Sequence, residues 1–230
     1  MRILMYVALL PGIILMVYLY RQDKVEKEPI SLLALLLVGG LLSAIASSFL
    51  EEWADSLLKM FFDHPGRLYQ IVDAFLAVAL IEEGTKYFFL KKFSWNNYNF
   101  NCLFDGVIYA TFVSLGFALT ENVLYVLSYG FDTAVMRAFT AIPAHTAFGI
   151  IMGIFYGNAK YAQNIGIKKQ YHPNKFLSLF IPVLIHGLYD YCLFDGSDYL
   201  MIIWYVLLFV IYVIIFVIVS KKAKSDHEII

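Results

Sequence analysis

Seven apolar stretches, at residues 3–20, 30–50, 71–91, 103–129, 136–159, 176–193 and 199–220, take up about two-thirds of this chain. Each is close to the roughly 20 residues that an α-helix needs to cross a bilayer. The alternating strands of about ten residues that mark a membrane β-barrel are absent from the sequence. A 61% hydrophobic, 15% charged composition lies well outside the roughly 45–50% apolar usage of soluble domains. The expected fold is therefore an all-α, polytopic membrane bundle of about seven helices. No internal repeat, low-complexity linker or second domain interrupts it, so residues 1–230 read as a single unit whose motif-bearing core runs from about 71 to 195.

Basic residues fall unevenly between the stretches. Arg21, Lys24, Lys27, Lys91, Lys92, Lys160, Lys168, Lys169, Lys175, Lys221, Lys222 and Lys224 occupy alternate connections and the carboxyl tail, whereas Arg2, Lys59, Arg67 and Arg137 fall on the other side. The positive-inside rule then places the amino terminus outside and the carboxyl terminus inside. Arg2 before an apolar run also suits a signal sequence. The absence of a small-x-small cleavage site before Arg21, and the basic residues that follow, favour a retained anchor. This topology puts Cys102 near the inner face and Cys192 near the outer face, too far apart for a disulfide. A net charge of -1 without a basic stripe gives no reason to expect nucleic acid as a partner. The lipid bilayer is the expected surroundings.

Seven charged or histidine residues nevertheless lie inside the apolar stretches, three or more residues from either end: Glu82, Glu83, Lys86, Glu121, His145, His186 and Asp190. Charge in hydrocarbon is costly, so such groups face a bundle interior and mark a functional site. On a helix Lys86 follows Glu82 by four residues and Glu83 by three, within reach of both carboxylates. Two neighbouring acids in a low-dielectric place suit proton transfer. Glu121 has no base within one turn, so its partner must come from another helix, a metal, water or a proton. Ala110, Ser114, Ala118 and Asn122 recur every four residues and permit close helix packing, and Asn122 reads best as a structural hydrogen-bonding residue. Pro143 and Pro182 precede His145 and His186 and loosen the local helix. His186 and Asp190 are one turn apart. Gly149, Gly153 and Gly157 mark a close-packed face beside His145.

Together, EEGTK at 82–86, FDGVIYATFVSLGFALTENVLY at 104–125, PAHTAFGIIMGIFYG at 143–157 and HGLYD at 186–190 resemble the PrsW family of intramembrane proteases. That family lies within the wider superfamily of CAAX prenyl proteases and bacterial Abi proteins. The resemblance spans most of residues 75–195. This chain has Ala110 and Ser114 where the family is richer in glycine, and Glu121 where the CAAX branch has histidine, so CAAX substrate choice does not transfer. The resemblance implies proteolysis of a single-span membrane protein, with an anti-sigma factor as the characteristic substrate. It also implies catalytic roles for Glu82, Glu83, Glu121, His145 and His186, supported by Lys86, Asn122 and Asp190.

Two mechanisms fit these residues. In one, Glu82 or Glu83 activates water while His145, His186 or Lys86 stabilises the oxyanion and protonates the leaving amine. In the other, a divalent metal such as zinc is held by ligands drawn from Glu121, His145, His186 and Asp190. The residues alone also suit an ion or proton pathway, or a non-catalytic membrane scaffold. A retinal-binding protein is disfavoured because 199–220 holds no lysine, and a soluble Ser/His/Asp hydrolase by composition. Counting along the spans puts His145, His186 and Glu121 in the outer halves and Glu82 nearer the middle. A cut near the extracytoplasmic end of the substrate is the expected outcome.

Overall fold

A computed structural model describes residues 2–64 and 66–229; Met1, Pro65 and Ile230 lie outside the described residues. Ten α-helices follow in order: α1 Arg2–Gln22, α2 Ile30–Phe61, α3 Arg67–Val72, α4 Leu80–Ser94, α5 Asp105–Tyr129, α6 Phe131–Phe139, α7 Ala141–Asn164, α8 Lys168–Asp195, α9 Asp198–Val213 and α10 Val219–Lys224. A π-helical stretch, Asp73–Ala79, joins α3 to α4, and another, Ile214–Ile218, joins α9 to α10. Among the described residues, six segments are long and apolar enough to cross a membrane: Leu4–Gln22, Ile30–Phe61, Asp105–Tyr129, Phe131–Asn164, Lys168–Asp195 and Asp198–Lys224. The helix running over 67–94 is the seventh expected span. It is more polar than the other six because Asp73, Glu82, Glu83 and Lys86 fall within its apolar part.

Two differences from the sequence expectation bear on the site. α2 continues 11 residues beyond position 50, to Phe61. No proline or glycine interrupts 51–61, and Lys59 pairs with Asp55 one turn back at 2.5 Å, so nothing stops the helix where its apolar pattern fades. The stretch expected at 136–159 is two helices, because the backbone leaves the helical region at Thr140 (φ -122°, ψ -72°); α5 ends earlier, at Gly130 with φ 86°, a left-handed conformation that suits glycine. The short α6 then precedes α7, which starts at Ala141. Pro143 therefore sits in the first turn of α7, where its missing N–H costs nothing. It starts that helix instead of loosening it, whereas Pro182 does lie inside α8.

α5 and α7 form the buried centre. A Cβ added to Gly106 would lie 2.7 Å from the Gly153 carbonyl oxygen and 2.7 Å from the Gly157 nitrogen, so the two backbones touch only because these residues are glycines. Around this pair, α1, α2, α4, α8 and α9 supply the remaining walls of one large apolar cluster, which includes Leu36, Leu90, Tyr109, Phe148 and Trp204. Cys102 and Cys192 are both buried and unpaired. The carboxyl tail folds back on the loop before α5: Leu103 N–H donates to the His227 carbonyl at 3.1 Å, Ile229 N–H to the Asn101 carbonyl at 2.6 Å and Phe104 N–H to Asp226 Oδ1 at 2.8 Å.

Candidate active site

The π-helical stretch ends just before Glu82. Wider i→i+5 turns of this kind interrupt α-helices mainly at functional places, and here the change of register precedes EEGTK. Lys86 Nζ lies 3.0 Å from Glu82 Oε2 and 2.8 Å from Glu83 Oε1, the contacts that the i+3 and i+4 spacing leads one to expect. The same ammonium reaches His145 Nδ1 at 3.2 Å and sits over the Phe117 ring, 3.8 Å from its centroid. Glu83 is 0% and Lys86 1% exposed. Charges so fully removed from water persist only when paired and hydrogen-bonded, as these are.

His186, from α8, brings Nδ1 to 3.0 Å from Glu83 Oε1 and Nε2 to 3.2 Å from Asp190 Oδ2, with Glu82 Oε2 3.9 Å away. Carboxylates face both of its ring nitrogens. Its plane stacks on Phe148 at a centroid distance of 4.8 Å. His145 lies four residues into α7, where Ser114 Oγ donates to its backbone carbonyl at 2.6 Å. Its Nε2 lies 2.9 Å from Glu121 Oε2. All the residues singled out from the sequence thus converge, from α4, α5, α7 and α8, on one connected network.

Arg137, which the sequence presents only as a cation of an outer connection, completes it. Its Nη2 lies 2.7 Å from Glu121 Oε2, a close ion pair without hydrogen-bond alignment. Its Nε donates to Asn122 Oδ1 at 3.0 Å, and Asn122 Nδ2 donates to the Ala8 carbonyl at 2.8 Å. The structural reading of Asn122 is correct in kind: it ties α1 to the arginine that holds Glu121. The partner that Glu121 requires from another helix is therefore Arg137 on α6, together with His145 on α7.

A cavity of about 660 Å³ opens onto this network. Glu82, Glu121, His145, His186, Asp190 and Arg137 line it, together with Glu51 on the extended part of α2. Glu83 and Lys86 lie behind that wall. Glu51 escapes the sequence reading because the second apolar stretch ends at residue 50. A signal for it is present, since Ala44, Ser47, Ser48 and Glu51 fall at i, i+3, i+4 and i+7 and form a small, polar stripe on an otherwise apolar helix.

The donors suit a metal. Ligand atoms of Glu82, Glu83, His145 and His186 lie within 4.8 Å of one another, imidazole and carboxylate are the donors zinc takes, and Glu83 Oε2 is buried without a partner. Glu121 stands outside this group, on the far side of His145. Lys86 holds a single positive charge among the four donors.

A family model described as PrsW family intramembrane metalloprotease matches residues 28–219. Proteins named Protease PrsW are similar over most of their length. The one from Geobacillus kaustophilus is 34% identical over 185 residues, covering 80% of this chain and 76% of the relative. The one from Oceanobacillus iheyensis is 33% identical over 193 residues, 84% of each. The one from Bacillus subtilis is 31% identical over 216 residues, covering 94% of this chain and 93% of the relative. No solved structure matches significantly. A buried acid, lysine and histidine network inside a helical membrane bundle, matched in this way over most of its length, belongs to a multi-pass membrane peptidase, a member of the PrsW family of intramembrane proteases.

Proposed function

We propose that this peptidase cuts a single-span membrane protein near its extracytoplasmic end, with a water activated by Glu82, and that an anti-sigma factor is the natural substrate. One observation carries the choice of Glu82 over Glu83: Glu82 lines the cavity, whereas Glu83 does not. A base must be within hydrogen-bond reach of the proton it removes, and only Glu82 of the pair faces space that water and a peptide can enter. Glu83 is a positioning residue, fixing Lys86 and His186 from behind.

In the reaction, water oxygen attacks the scissile carbonyl carbon as Glu82 takes one of its protons. The carbonyl becomes an oxyanion, and the C–N bond breaks as the proton from Glu82 passes to the departing amine. His186 is placed to donate to the oxyanion through Nε2, whose 3.2 Å contact with Asp190 Oδ2 is not aligned as a hydrogen bond, while Glu83 holds the ring through Nδ1. Lys86 keeps the site from accumulating negative charge. His145 accepts from Lys86 through Nδ1 and donates to Glu121 through Nε2, and so links the two halves of the network. A divalent metal, if used, would draw its ligands from Glu82, Glu83, His145 and His186, and when bound it supplies Lewis-acid polarisation of the carbonyl.

The depth of the site supports the position of the cut. On the charge-rule orientation, α7 runs inward from the outer face and His145 lies four residues into it, about 6 Å at 1.5 Å per residue. His186 lies nine residues before the outer end of α8 and Glu121 eight before that of α5. The test is to incubate the protein in lipid nanodiscs with a single-span anti-sigma-factor segment and to sequence the new termini by mass spectrometry. New termini in the extracytoplasmic third of the span are expected. A cut confined to the cytoplasmic flank contradicts the proposal.

A further inference from the structure

The charges that line the cavity are paired to one another with a single exception. Glu121 is held by Arg137 and His145, Asp190 by His186, and Glu82 by Lys86. Glu51 forms no ion pair among the described residues, and its Oε1 is buried without a hydrogen-bond partner. Such an oxygen costs about 1–3 kcal/mol when nothing pairs with it, so one at the wall of a cavity calls for a water, an ion or a functional role. The only cation lining the cavity among the described residues is Arg137, and Glu121 already occupies it. The protein thus offers Glu51 no cation of its own across the cavity, and a bound peptide can supply one.

The surroundings define what that partner is. Glu51 and Ser48 also line a second, outward hollow of about 380 Å³ with Glu52, Asp55 and Asp73. Lys59 and Tyr69 satisfy Asp55, but Glu52 and Asp73 have no ion-pair partner among the described residues. Negative potential thus continues from the outer end of α2 down to the active-site cleft, where low-dielectric walls concentrate it. Glu51 lies 21 residues along α2, about 31 Å from its basic-side end, on the side where the substrate flank leaves the membrane.

We propose that Glu51 is a specificity-determining residue that receives a lysine or arginine side chain from the extracytoplasmic flank of the substrate. This rests on the reading of the cavity as the peptide-binding cleft. The favoured substrate class is a single-span protein with a basic residue beside the cut, and acidic flanks are rejected by the same carboxylate.

The experiment separates binding from cutting. Single-span peptides that differ only in carrying Lys, Gln or Glu, placed in turn at four successive flank positions, are bound to Glu82→Gln protein in nanodiscs, and the affinities are compared with those for Glu82→Gln/Glu51→Gln and Glu82→Gln/Glu51→Lys. At one flank position Lys should bind about tenfold tighter than Gln, the low end for a partly buried charge pair. Glu51→Gln should bring that ratio close to one, and Glu51→Lys should turn the preference toward Glu. Equal affinity for Lys and Gln at all four positions in protein that keeps Glu51 overturns the proposal, whether or not the variants fold. So does a Lys preference that persists unchanged in Glu51→Gln. If the Lys preference holds but the active protein cuts at the cytoplasmic flank, the proposed cut site fails and the role of Glu51 stands.

Discussion

Two regions of this bundle bury acids, and they neutralise them differently. Around the cavity, Glu82, Glu83, Glu121 and Asp190 face Lys86, Arg137, His145 and His186, so carboxylates meet ammonium, guanidinium and imidazole groups within 2.7–3.2 Å. At the other end, where the basic connections lie, Asp23, Glu28 and Asp105 are 1%, 3% and 0% exposed with no ion pair among the described residues. Backbone and hydroxyl donors serve there instead. Asn101 and Cys102 N–H groups donate to Asp105 Oδ2, and Tyr109 donates to Glu28 Oε2 at 2.7 Å. Lys27 donates to the Asp23 backbone carbonyl and not to its carboxylate. Burial pushes Glu28 up to about 7 and Asp23 up to about 6, so below those values protons supply the neutrality that paired groups supply at the cavity. The first arrangement keeps ionised groups ready for chemistry. The second closes the base of the bundle and pins the carboxyl tail.

The largest effect expected follows from removing a counter-charge at the cavity. Lys86→Gln leaves Glu82 and Glu83 buried side by side without a cation, a change that costs about 3–5 kcal/mol for a broken buried pair. Folded protein recovered in detergent should fall severely, as judged by a monodisperse peak in size-exclusion chromatography. Wild-type yield and thermal midpoint would show that Lys86 does not balance the pair.

A smaller loss is expected at the edge of the network. Arg137→Gln frees Glu121 and, through it, the orientation of His145, and should lower kcat for a single-span peptide by about 10- to 100-fold, as supporting contacts around a site do. Asn122→Ala, which unfastens Arg137 from α1, should cost less than Arg137→Gln in the same assay. If Asn122→Ala is the more damaging change, Arg137 is not held as described.

The smallest effect belongs to the proton-balanced end and runs with pH. For an acid raised in the folded state, the fold binds the proton more tightly than the unfolded chain does. Stability is therefore full below the unfolded value near 4 and is lost as pH rises through about 6 for Asp23 and about 7 for Glu28. The thermal midpoint should drop by a few degrees, on the order expected for 1–2 kcal/mol, between pH 5 and pH 8. Asp23→Asn with Glu28→Gln should flatten that slope. A midpoint that rises over this range, or a slope unaltered in the double variant, is the opposite of what proton balance gives.

What is legible in the sequence follows the same division. Glu82, Glu83 and Lys86 can be read because their partners lie within one helical turn. Glu121, His145, His186 and Asp190 can be read because a charge inside an apolar stretch is too costly to be kept without a role. Arg137 cannot, since its partner is 16 residues away on another helix and a cation in an outer connection is ordinary. Glu51 falls at the fading end of an apolar run, where hydropathy alone stops a helix too early. Of the acids at the basic end, Asp23 and Glu28 fall between the first two stretches and Asp105 at the very start of the fourth, where an acid is ordinary and its burial comes only from folding. Local periodicity thus recovers the bundle and most of the site, while contacts made by folding supply the rest.

The central claim is that Glu82, and not Glu83, activates the attacking water. Single-turnover cleavage of a single-span peptide in nanodiscs, measured for Glu82→Gln and Glu83→Gln proteins of verified fold, tests it most directly across a pH series. Glu82→Gln should lower the cleavage rate by about 10²–10⁴-fold, the range of general-base catalysis, and abolish the limb of the pH profile due to the base. Glu83→Gln should slow the reaction while keeping that limb. A Glu82→Gln protein that cleaves at a near-normal rate, or a limb lost only in Glu83→Gln, would contradict the claim.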